Sequence, residues 1–171
     1  YGIIMYVGFI FVGTYMGYAV GSAPVISYHY GAGNKDELKN LFKRSLTIII
    51  VSSVVMTLIA EIIAGYLAGI FVSYDNNLLE LTTEAIRIYA VSYLISGINI
   101  FASSFFTALN NGVVSAVISF MRMFVFQIVM ILLLPVVLGI SGIWTAVIAA
   151  EVLSVVISVM FLVKNRKKYS Y

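Results

Sequence analysis

The 171-residue sequence contains no cysteine and a single histidine, His29. Without thiols there is no disulfide, no thiolate metal site and no cysteine nucleophile, and one imidazole cannot build a histidine cluster. Charge is scarce as well: Asp, Glu, Lys and Arg make up 10% of the residues against 62% hydrophobic, and the mean hydropathy is +1.07. So few charges cannot cover a soluble domain of this length, which leaves an integral membrane protein. The apolar runs are too long for the alternating segments of about 10 residues that build an outer-membrane barrel. They are too many for one cleavable signal peptide, and no polar stretch is long enough to make a soluble domain.

An all-α polytopic helix bundle is the economical reading. About 20 mostly apolar residues cross a hydrocarbon core of roughly 30 Å, and five segments qualify: 1–29, 45–72, 85–109, 113–138 and 140–163. They form a single transmembrane domain over 1–171. Tight helix-helix connections are predicted at 110–112 and 139–142. Pro24 and Pro135, the only prolines, are the expected helix kinks.

The most informative connection is 24–46. Gly31 and Gly33 permit a sharp exit from the first span, and a short basic helix with Lys35, Lys39, Lys43 and Arg44 leads to the second. With Lys164, Arg166, Lys167 and Lys168, that connection holds eight of the ten Lys and Arg residues. Positive residues flanking spans are retained on the cytoplasmic side. Four crossings separate the two basic segments, so both fall on one face and the C-terminal tail is expected to be cytoplasmic. The connection over 73–83 falls opposite and carries Asp75 and Glu80 without Lys or Arg. The chain opens on Tyr1 inside an apolar run, and five is an awkward number of spans for a transporter of repeated halves, so at least one preceding helix is expected.

Polar residues within the spans carry the functional information. Ser92, Ser96, Asn99, Ser103 and Thr107 recur at intervals of four, three, four and four, which places them on one helical face that should not meet lipid. Ser53, Thr57 and Glu61 form a shorter stripe, and Glu151, Ser154 and Ser158 another. Packing by small hydroxyl residues accounts for most such stripes, whereas Asn99 is a cavity candidate.

Charge at mid-membrane costs about 3 kcal/mol on insertion scales and needs a partner or water. Arg122 lies about 14 Å from the basic face, and Glu151 about 13 Å, on sequential antiparallel helices. They are expected to pair, either as a static bridge or as a carboxylate whose protonation changes as a pathway opens. Glu61 has no evident partner in the sequence. Arg87 is expected to pair with Glu84 near the opposite face. Glu151, Arg122, Asn99 and Glu61 are therefore the candidate substrate or ion pathway, and no metal site is proposed.

Several segments in order resemble one family. The run 21–33 with its basic continuation is followed by Arg87-Ile88-Tyr89-Ala90 and by 105–112. Arg122 and Pro135 come next, then Gly142-Ile143-Trp144-Thr145-Ala146 and Ala150-Glu151. Their order and loop lengths resemble helices eight to twelve of the multidrug and toxic compound extrusion transporters. The resemblance implies most of a C-terminal lobe, with an N-terminal lobe of the same protein as its partner. It implies secondary active efflux of small organic, often cationic, compounds across the cell membrane, driven by a sodium or proton gradient without a cofactor. Some members of the family use a carboxylate in helix ten, but the matching span here has no Asp or Glu after its first turn, so that site is not carried over.

Two other readings stay open. One is a flippase of lipid-linked saccharides with a related fold, which would be expected to line its cavity with several arginines. The other is a non-transporting membrane assembly subunit. An enzyme is not expected, since no nucleophile and base pair is visible and Gly31-Ala32-Gly33 is too short for a phosphate loop. Nucleic acid is not an expected partner either, because a basic tail beside a span reads as a topological anchor facing the bilayer.

Overall fold

The computed structural model describes residues 2–171, and among them there are helices and turns but no strand. The elements run α1 (Gly2–Gly31), α2 (Lys35–Val72), α3 (Asn76–Ala90), α4 (Tyr93–Ala108), α5 (Gly112–Phe120), a π-helical segment (Met121–Phe126), α6 (Gln127–Leu138) and α7 (Ile140–Tyr169). Four stretches are long and apolar enough to cross a membrane: α1, α2, α5 through α6, and α7. The pair α3 and α4, bent by 43° at its break, supplies a fifth when counted as one span. The protein is an all-α polytopic membrane bundle.

Three expectations change. The basic segment 35–44 is not a separate helix but the first turns of α2, capped by Asn34, whose side chain accepts the Glu37 amide at 3.1 Å. The connection expected over 73–83 shrinks to 73–75, because Asp75 caps α3 by accepting the amides of Asn77 (2.9 Å) and Leu78 (3.2 Å). The third span is not one helix over 85–109 but two, with a break at Val91 and Ser92. Pro24 and Pro135 both lie inside continuous helices.

The break is held open by neighbours. The Leu94 amide bonds to the Val91 carbonyl three residues back at 3.2 Å, so the Ala90 carbonyl loses its helical donor. Thr57 of α2 supplies a hydroxyl to it at 3.4 Å, and Tyr15 of α1 donates to the Tyr93 carbonyl at 3.0 Å. Irregular backbone at membrane depth survives only where protein re-satisfies it in this way.

Helix α4 lies at the centre, in contact with α1, α2, α5 and α7. Its Phe101, Phe105 and Phe106 are fully buried, and Tyr93 stacks on Phe11 at 4.5 Å. Close approach rests on small residues: Ala60, Ala64 and Ala68 make a buried ridge on α2, and Gly97 lies against Tyr15, Ile49 and Ser53. Many large apolar residues point outward, Val136 and Ile62 among them. In a bilayer this is the surface that lipid solvates, at no hydrophobic cost.

The two ends of the bundle differ in charge. At one end Tyr30 contacts Tyr169, Asn111 donates to the Tyr169 hydroxyl at 3.0 Å, and Phe42 packs on Tyr171. The basic segments 35–44 and 164–168 therefore share a face. At the other end Ile4, Val72, Ile86 and Trp144 form a second apolar cluster beneath the acidic turn at Asp75.

Candidate functional site

The face of α4 read from the sequence lines a cavity of about 630 Å³, with Ser92, Ser96, Asn99, Ser103 and Thr107 all on its wall. Opposite walls come from α1, the π-helical segment and α7. Three methionines (Met5, Met16, Met123) and two tyrosines (Tyr89, Tyr93) supply much of the rest, an adaptable apolar lining of the kind that accepts varied shapes.

Among the described residues, Glu151 is the only carboxylate on this lining and Arg122 the only cation. The two are joined side on. Arg122 Nε donates to Glu151 Oε1 (2.9 Å) and Oε2 (3.0 Å), and Nη2 donates to Oε1 (2.6 Å). The arginine side chain is 16% exposed and the carboxylate 8%. At that burial neither charge keeps a full hydration shell, so each depends on the other.

Asn99 completes the arrangement. Its Nδ2 donates to Glu151 Oε2 at 2.7 Å and to the Glu151 carbonyl at 3.1 Å, while its Oδ1 accepts from Ser158 at 2.9 Å. These partners fix which way the amide points. Both carboxylate oxygens of Glu151 thus receive at least two hydrogen bonds, and its rotamer is tied to α4 and to the π-helical segment together.

Arg122 is the second residue of that segment. A π turn adds a residue to the helix and turns everything beyond it by about a quarter circle, and such bulges recur at functional sites. Ser115 and Ser119 lie four and three residues apart from each other and from Arg122 on the same span. They meet α4 through a hydroxyl chain: Ser103 contacts Ser119 at 2.7 Å and Ser115 at 2.9 Å, and Thr107 contacts Ser115 at 2.7 Å. Their spacing toward Arg122, four residues and then three, is a signal legible in the sequence.

Glu61 does not join the other three. It lies outside the cavity and faces Arg87 at 3.9 Å, with the side chains 37% and 58% exposed. This replaces the expected Arg87 to Glu84 pairing: α2 and α3 pack side by side, and the residue across the interface outcompetes the one a turn earlier. Pro24 and Pro135 do not line the cavity.

The fold and this half-open cavity with its buried ion pair define a polytopic membrane protein with a charge-paired polar site within its spans. The MatE family model matches residues 1–133, and the chain belongs to that family, a family of transporters. Asn99 and Arg122 fall within the matched segment, while Glu151 and Ser158 lie beyond it. No curated protein and no solved structure matches the chain.

Proposed function

We propose that this chain is the greater part of the C-terminal lobe of a secondary active exporter. It moves organic, often cationic, amphipathic compounds across the cell membrane in exchange for sodium ions or protons, by alternating access against an N-terminal lobe of the same protein. The observation that carries this reading is a cavity whose one carboxylate, Glu151, is held by Arg122 and Asn99 from two other helices. A cation or proton arriving at Glu151 competes with Arg122 for the same oxygens. The exchange changes how α7 is tied to the π-helical segment, so occupancy and helix packing are coupled at one carboxylate. The basic end faces the cytoplasm in this reading.

The flippase reading gains nothing from the cavity, since the single guanidinium that lines it is committed to Glu151 rather than free for a pyrophosphate. The test is efflux of a fluorescent cationic dye from cells expressing the full-length gene, under sodium and proton gradients imposed separately. Gradient-dependent dye loss is expected for one of the two ions. No loss under either, with the protein shown to be in the membrane, overturns the exporter reading in favour of the flippase or the non-transporting subunit.

A further inference from the structure

A second cavity, of about 420 Å³, lies between α2 and α7 at the basic end of the bundle, and neither Arg122 nor Glu151 lines it. Its charged lining side chains are Lys39, Lys43 and Arg166, with no Asp or Glu among the described residues that line it; Arg166 Nε also donates to the Tyr171 main-chain oxygen at 3.3 Å. The rest is apolar, including Leu46 and Ile50 on α2, Ile98 on α4 and Val159 on α7.

The order of these residues along the helices grades the cavity. Helix α2 runs inward from the basic end, so Lys39 and Lys43 precede Leu46 and Ile50; α7 runs outward, so Val159 precedes Arg166. All three cations are therefore at the mouth, and the apolar groove continues about 10 Å below Lys43 at 1.5 Å per residue. Tyr171 closes one side by donating its hydroxyl to the Leu162 carbonyl at 2.8 Å. Burial, with a smaller contribution from Tyr169, pushes its phenol above the ordinary tyrosine range. The phenol stays neutral, and the charged side chains at the mouth are all positive.

We propose that this groove is a binding site for an anionic phospholipid, with the phosphate held among Lys39, Lys43 and Arg166 and one acyl chain lying along Leu46, Ile50 and Val159. Charge complementarity and position both point to this occupant. The cations lie at the level where a span leaves the apolar layer, where lipid phosphates are found, and the floor is open to the same layer as the acyl chains. A soluble polyanion would satisfy the cations and leave the apolar floor bare. The ligand bridges two helices that close the basic end, so its loss is expected to loosen α7 against α2.

The test uses the purified full-length transporter in nanodiscs of phosphatidylcholine containing a rising fraction of phosphatidylglycerol, with retained lipid read by native mass spectrometry. Phosphatidylglycerol is expected to be retained in preference to phosphatidylcholine. Lys39→Gln, Lys43→Gln and Arg166→Gln should each lower its retention about tenfold, the factor that corresponds to losing one hydrogen bond to a charged group. Ile50→Trp, or Val159→Phe on the facing wall, fills the groove without changing charge and should lower retention as well. Lys164→Gln/Lys167→Gln/Lys168→Gln removes three cations that do not line the groove and should lower the preference for phosphatidylglycerol less than any one of the groove substitutions does. Equal retention of the two lipids, or the same loss in that control, overturns the site in favour of diffuse surface attraction. Inorganic phosphate that protects the protein against heat as well as phosphatidylglycerol does overturns the lipid in favour of a free-anion pocket.

Discussion

Asn99 gives both hydrogens of its amide to one residue, Glu151, reaching its carboxylate at 2.7 Å and its carbonyl at 3.1 Å. The amide thereby holds the side chain and the main chain of α7 from the centre of α4. Asn99→Leu, similar in volume, removes both donors and the acceptor of Ser158. A loss of about 1–3 kcal/mol per buried polar group left unpaired is expected, read as a lower melting temperature of the full-length protein in detergent, together with impaired transport.

Breaking the ion pair from one side should be more costly than removing it. Arg122→Gln leaves the Glu151 carboxylate buried without its counter-charge, a situation worth about 3–5 kcal/mol. Arg122→Met combined with Glu151→Leu replaces both charges by apolar groups of similar length and should recover much of that stability without recovering transport. A double variant as unstable as the sum of the single ones would show that the two residues act independently.

Glu61 offers the contrast. Its one contact with Arg87 is long, at 3.9 Å, and both side chains are more than a third exposed. Exposed pairs of this kind contribute about 0–1 kcal/mol. Glu61→Gln should therefore shift thermal stability far less than Arg122→Gln, with both variants measured side by side in the same detergent.

Two glycines are fixed by close approach rather than by flexibility. A Cβ on Gly97 would lie 2.9 Å from Ser53 Oγ and 3.0 Å from side-chain atoms of Ile49 and Tyr15, at the crossing of three helices. A Cβ on Gly142 would overlap the Leu134 carbonyl and lie 2.7 Å from the Pro135 nitrogen, where α7 folds back on α6. Backbone cannot rotate aside as a side chain can. Gly142→Ala should consequently destabilise more than Gly97→Ala, for which about 1–3 kcal/mol is expected from overpacking, both read as melting temperatures.

Composition and hydropathy were enough for the helical membrane class, and the four-three-four-four spacing from Ser92 to Thr107 marked a face turned from lipid, because each signal needs only residues near one another in the sequence. Depth along antiparallel spans brought Arg122 level with Glu151, and the structure joins them. The break at Val91 and Ser92 was not legible. Neither proline nor glycine lies near it, and the hydroxyls that hold it open come from Thr57 and Tyr15, 33 and 78 residues away from the carbonyls they reach. The π-helical segment left no mark either, since Met121–Phe126 holds neither proline nor glycine and Arg122 signals a charge rather than a change of helical pitch. Helical spacing pairs Arg87 with Glu84 and carries no information on Glu61 of α2, which Arg87 faces at 3.9 Å.

The most direct measurement is gradient-driven dye efflux by full-length protein carrying Glu151→Gln, normalised to the amount in the membrane. The substituted amide keeps the shape and loses the charge that Arg122 holds. Efflux reduced at least tenfold with normal membrane levels is the expected result for a carboxylate that takes part in coupling. Undiminished efflux per molecule, with only the yield of folded protein reduced, would contradict it and leave the Arg122 and Glu151 pair as a packing bridge.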